Sequence, residues 1–211
     1  TNGKLHEPQE KTSLYEEKII IPAVPGKQFS GQITTWNQEK YVIPVRGLRK
    51  IESALAEAPF LYVTGAPGSG KSVLISAYIY HQFQNDLLQE ENLFYFRFLR
   101  GITTYQAFID SLSAFLDIKE SAVKPDEIAA ELAEVMADFE CVFVLDDIHH
   151  IRDKRLLELV MQLWNHLQNA EAFSGKFVII SQKQPKKIAL EPQHYFHYPG
   201  LSIAESSALL R

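Results

Sequence analysis

Gly65-Ala-Pro-Gly-Ser-Gly-Lys-Ser72 follows the spacing Gly-x-x-x-x-Gly-Lys-Ser, the set of residue types that a phosphate chain requires. Backbone N–H groups can wrap a polyphosphate only where no side chain bars close approach, so Gly65, Gly68 and Gly70 read as the permissive positions. Ala66, Pro67 and Ser69 complete this P-loop, and Val73 follows it into a helix. Lys71 supplies an ammonium that reaches the β- and γ-phosphates, and Ser72 a hydroxyl for Mg²⁺. The helix N-terminus adds the positive end of its dipole.

These residues need elements to position them. An apolar run, Phe60 to Val63, feeds the loop as a strand, and a helix from about Gly70 to Phe83 leaves it, with apolar positions over much of its circumference. Further strands are expected at Asn92–Phe98, Cys141–Asp147 and Lys176–Gln182, with a weaker one at His194–Tyr198. Helices are expected at Leu48–Ala58, around Phe108 to Leu116, from Pro125 with Ile128, Leu132, Val135, Met136 and Phe139 inward, and from Asp153 to about Asn169. A capping box at Ser202 and Glu205 opens a last one. Strands alternating with helices give an α/β class chain, a three-layer P-loop NTPase fold with a parallel sheet flanked by helices.

In such sheets ligands sit beyond the carboxyl ends of the strands. Asp146-Asp147 and Ser181-Gln182 therefore come to the same edge as the P-loop. Asp146, next to the apolar run, is placed to hold Mg²⁺ with Ser72, because hard cations prefer oxygen ligands, and Asp147 to orient or deprotonate an attacking water. Arg97 and Arg100 flank the aromatic strand, either facing the γ-phosphate or forming salt bridges. Adjacent His149 and His150 project in different directions and no third ligand has suitable spacing, so they read as solvent-facing. Lys183, Lys186 and Lys187 read as a solvated basic face.

The bulk numbers fit one such domain. Of 211 residues 46% are hydrophobic and 22% charged, ordinary values for a globular chain, and no run reaches the roughly 20 apolar residues of a membrane span. The net charge of −5 gives no global footprint for nucleic acid or an anionic membrane. The single cysteine, Cys141, lies in an apolar run as a small core residue, and the polar start lacks a signal-peptide core, so a cytoplasmic setting is expected. Residues 1–40 read as an arm or linker with one β-branched run at Lys18–Ile21, and residues 41–211 as the domain; Trp36 and Tyr41 read as half-buried loop aromatics in preference to anchors for the arm. The chain begins without Met and stops at Arg211 inside a helical pattern, so a longer protein is expected.

The set resembles the nucleotide-binding domain of signal-transducing ATPases with numerous domains, the STAND group of NACHT and NB-ARC proteins, themselves related to AAA+ ATPases. The resemblance rests on Arg46-Gly-Leu-Arg49, Gly65 to Ser72, Phe94 to Arg100, Val142 to Asp147, Phe177 to Gln182 and Tyr198 to Glu205. It implies ATP or ADP held as a switch, slow hydrolysis, nucleotide-dependent oligomerisation, and sensor and effector domains outside this chain. It places Val45 and Arg46 by the adenine, Lys71 and Ser72 on phosphate and Mg²⁺, Asp146 on the metal, Asp147 on the water, and Ser181 or Gln182 against the γ-phosphate. The group often has Thr-Thr-Arg where this chain has Ser181-Gln-Lys183, and the chain stops before the helical and winged-helix segments that close over the nucleotide. An AAA+ ATPase of DNA replication or transposition is the alternative, although such proteins usually carry Glu at the position of Asp147. A small-molecule kinase lacks an acceptor motif here, and a scaffold holding ADP for stability stays open.

Overall fold

The computed structural model describes residues 45–118, 125–183 and 191–200. Their order is α1 (Val45–Glu57), β1 (Phe60–Thr64), α2 (Lys71–Gln84), β2 (Leu93–Arg97), α3 (Tyr105–Leu116), α4 (Pro125–Asp138), β3 (Val142–Asp146), α5 (Lys154–Gln168), β4 (Lys176–Ile180) and β5 (Tyr195–His197). All pairings are parallel, in the spatial order β2-β3-β4-β1-β5. The arm at 1–40, Tyr41, Lys186, Lys187, the Ser202–Glu205 capping box and the Val45 side chain lie outside the described residues.

Successive strand residues point to opposite faces, and the two faces differ in kind. Phe60, Tyr62, Phe94, Phe96, Phe143 and Phe177 belong to one buried cluster with α3, α4 and α5. Leu61, Val63, Val142, Val144, Val178 and Ile180 belong to the other, against α1 and α2. Every strand residue of β1 and β3 is buried, as continuous apolar runs covered on both faces require. Trp164 of α5 is fully buried and meets Phe60 and Phe177 edge-on at centroid distances of 5.3 and 5.9 Å. The result is the expected three-layer α/β fold.

Helix ends follow local chemistry. Thr104 caps α3 by accepting from the Ala107 N–H, and Asp153 caps α5 by accepting from the Arg155 N–H. Lys176 donates to the Leu55 carbonyl at 2.7 Å, satisfying an otherwise unpaired acceptor near the C-terminal end of α1. Two expectations shift. α1 begins at Val45, ahead of Leu48, and α4 stops at Asp138, so Phe139 stands 40% exposed instead of packing inward. No helix among the described residues is long and apolar enough to cross a membrane.

Candidate functional site

The P-loop joins β1 to α2, and two of its glycines are fixed by geometry. A Cβ on Gly65 would fall 2.2 Å from the Tyr198 carbonyl oxygen, so only glycine lets the segment after β5 lie under the loop. Gly70 precedes α2 at φ +92°, a left-handed conformation that a side chain would strain. The loop tip, Ala66-Pro67-Gly68, is exposed, while Ser69, Gly70, Ser72 and Val73 are half-buried. Lys71 is 6% exposed and donates through Nζ to the carbonyls of Gly65 at 3.0 Å and Ala66 at 2.9 Å. Burial pushes its ammonium down from the ordinary lysine range, against the pull of Asp147 and Asp146.

The second half of the site arrives from β3, which is separated from β1 by β4. Despite the intervening strand, Ser72 Oγ donates to Asp146 Oδ1 at 3.1 Å. Tyr95 of β2 donates its hydroxyl to Asp146 Oδ2 at 2.8 Å, so both oxygens of this fully buried carboxylate are engaged. Burial, then the Asp147 charge, raise the Asp146 carboxyl above the ordinary carboxylate range, opposed by the Tyr95 and Ser72 hydrogen bonds. The Tyr95 phenol is pushed up in turn by burial and by Asp146.

Asp147 turns away from the sheet with φ 60° and ψ 35°, the left-handed region in which aspartate is among the better tolerated residues. Arg97 Nε donates to its Oδ2 at 2.8 Å, which decides Arg97 in favour of the salt bridge; Arg100 is exposed. Ser181, at the tip of β4, is 2% exposed and donates its N–H to the Val63 carbonyl at 2.9 Å; Gln182 is half-buried. Arg46 is exposed on the first turn of α1.

His149 and His150 correct the solvent-facing expectation. Both are half-buried in the 3₁₀ turn Ile148–His150, because the buried Ile148 folds that turn back onto the core. His150 Nδ1 lies 3.1 Å from the Phe98 carbonyl. Burial and the neighbouring His150 push the His149 imidazole below its ordinary range, so it is neutral near pH 7.

Tyr95 and Tyr198 are the positions sequence reasoning passed over. Tyr95 carried one usable signal, since in an aromatic strand it alternates with Phe94 and Phe96 and is the polar-tipped residue on the opposite face. The donor set fits nucleotide and Mg²⁺: a hydroxyl and a carboxylate in contact offer hard oxygen ligands, and the neighbouring ammonium rests on loop carbonyls that phosphate oxygens can replace.

Comparison with known proteins bears on the fold and the family. The AAA domain family matches residues 55–185. Cdc6p from Pyrobaculum aerophilum superposes with a TM-score of 0.55 at 17% identity, covering 79% of this chain and 48% of that one. A chain of Drosophila ORC bound to DNA gives 0.51 at 13% identity, with coverage of 77% and 94%. The Aeropyrum pernix ORC1 protein in complex with DNA gives 0.51 at 15% identity, with coverage of 80% and 49%. This chain thus spans about half the length of the two archaeal proteins. No curated protein matches it. With a five-stranded parallel sheet in the same fold as the Cdc6 and ORC structures, and a family match over more than half its length, the chain belongs to the AAA domain family.

Proposed function

We propose that this chain is the nucleotide-binding module of a Mg²⁺-dependent ATPase that binds and slowly hydrolyses ATP. The observation that carries this reading is the 3.1 Å contact between Ser72 and the fully buried Asp146, with Lys71 poised near enough to feel the Asp146 charge. The loop N–H groups and the α2 N-terminus receive the phosphates, and Lys71 exchanges the carbonyls of Gly65 and Ala66 for phosphate oxygens. Ser72 and Asp146 would hold Mg²⁺, which when bound neutralises charge on the β- and γ-phosphates. Asp147 orients the attacking water through Oδ1, while Arg97 fixes the carboxylate by Oδ2. Ser181 or Gln182, at the β4 tip between the two halves, reports on the γ-phosphate, and Val45 and Arg46 at the start of α1 flank the adenine.

Two finer readings each have an observation in their favour. The AAA domain match and the likeness to the Cdc6p, ORC and ORC1 structures, two of them determined with DNA, favour an ATPase acting on DNA. Asp147 after Asp146, with a net charge of −5, favours a signalling switch of the STAND kind. We rank the first ahead, because two of the structures that share this fold were determined with DNA. It expects ATP-dependent binding of a labelled DNA duplex, measured by fluorescence anisotropy, that weakens as salt rises. ATP-dependent self-association without DNA binding at low salt would favour the switch instead.

Two variants test the site itself. Lys71→Ala is expected to weaken ATP and ADP binding at least about a hundredfold by calorimetry, because the polyphosphate loses its charged donor; equal affinity would contradict the assignment. Asp146 is held at a cost. Its carboxyl, raised on folding, binds a proton more tightly in the folded state, so stability falls as pH rises from the ordinary carboxylate range through the raised value. Asp146→Asn is therefore expected to melt higher than the parent at neutral pH without nucleotide or metal, with the gap closing as pH falls below the raised value. A parent that melts at or above the variant at neutral pH would contradict this burial cost.

A further inference from the structure

We propose that Asp147, His149 and His150 form a site for one divalent transition-metal ion of the Zn²⁺ class, separate from the Ser72–Asp146 pair. One ligand atom from each of the three side chains lies within 4.8 Å of the other two. Zinc holds such donors at about 2.0–2.2 Å, so small side-chain rotations close the cluster around an ion. Two imidazoles and one carboxylate suit a borderline cation, whereas Mg²⁺ takes oxygen donors and has its own pair next door.

Each ligand is prepared in a different way. Both ring nitrogens of His149 are buried without a hydrogen-bond partner among the described residues, a costly condition for a polar group that coordination relieves at one of the two. A carbonyl can only accept, so the 3.1 Å contact to Phe98 fixes the proton of a neutral His150 on Nδ1 and leaves the lone pair on Nε2. Asp147 spends Oδ2 on Arg97 and keeps Oδ1, which lies 3.9 Å from His149 Nδ1. Arg97 thereby orients a carboxylate ligand from behind, the role an outer partner plays at metal centres. The 3₁₀ turn holds the two imidazole centroids 4.2 Å apart, and three protein ligands leave a coordination position open. The charges of Asp146 and Asp147 are matched by those of Lys71 and Arg97, so affinity comes from the imidazole donors more than from a negative field. An ion here would compete with water for Asp147 Oδ1; that consequence rests on the role proposed for Asp147, whereas metal binding does not.

Calorimetric titration of the native chain with Zn²⁺ in excess Mg²⁺, with Co²⁺ absorption as a second probe, tests the site. One ion per chain is expected, bound at least about tenfold more weakly by His149→Ala and His150→Ala. His166→Ala, at an exposed histidine of α5, should bind as the parent does. Lys71→Ala should also keep the ion, which separates this site from the nucleotide site. His149→Gln serves where the alanine variant fails to fold, and melting curves with and without Zn²⁺ should show stabilisation of the parent but not of this variant. No ion bound by the parent, unchanged affinity in the His149 variants, or loss of the ion in Lys71→Ala would overturn the proposal.

Discussion

A carboxylate without exposed surface, Asp146, is held by hydroxyls from two other elements, and the placement of the P-loop over the sheet depends on it. β1 and β3 stand two strand spacings apart, about 10 Å, with β4 between them. No backbone bond can join their tips. Ser72 spans the gap from the first turn of α2, and Tyr95 reaches Asp146 from β2 on the other side. The Asp146 carboxylate thus ties the loop to the aromatic strand β2. The left-handed Gly70 and the bare Gly65 serve the same end, because they let the loop turn back toward Asp146 while Tyr198 packs beneath it.

Around that contact the charges are arranged in two pairs with different partners. Lys71 rests on loop carbonyls, whereas Arg97 is committed to Asp147. A buried ammonium on neutral acceptors is readily transferred to a phosphate, whereas a half-buried guanidinium paired with a carboxylate is not. The first group is therefore free to answer a ligand, while the second holds its acid in a fixed orientation.

The parts legible in the sequence were those whose meaning is local. Gly65 to Ser72 declares its chemistry by spacing, and the apolar run ending in Asp146 declares a buried strand with an acid at its tip. β5 was a weak signal because it is a three-residue edge strand whose residues alternate between exposed and half-buried. Tyr95 was not legible as a partner of Asp146, since that pairing depends on the register that sets Arg97 opposite Asp146 and Tyr95 opposite Val144. The histidines misled for a related reason. Their burial follows from the left-handed turn at Asp147 and the inward Ile148, neither of which adjacent histidines reveal. Phe139 was assigned to a helix face that ends one residue before it.

In the function proposed above, Ser72, Asp146 and Lys71 are already arranged to receive a metal-bound triphosphate. A structure of this chain determined with Mg²⁺ and a non-hydrolysable ATP analogue tests it most directly. A cation shared by Ser72 and Asp146 is expected, with Lys71 Nζ moved from the carbonyls of Gly65 and Ala66 onto phosphate oxygens. A nucleotide bound elsewhere, or a Lys71 still on its two carbonyls beside bound phosphates, would contradict it.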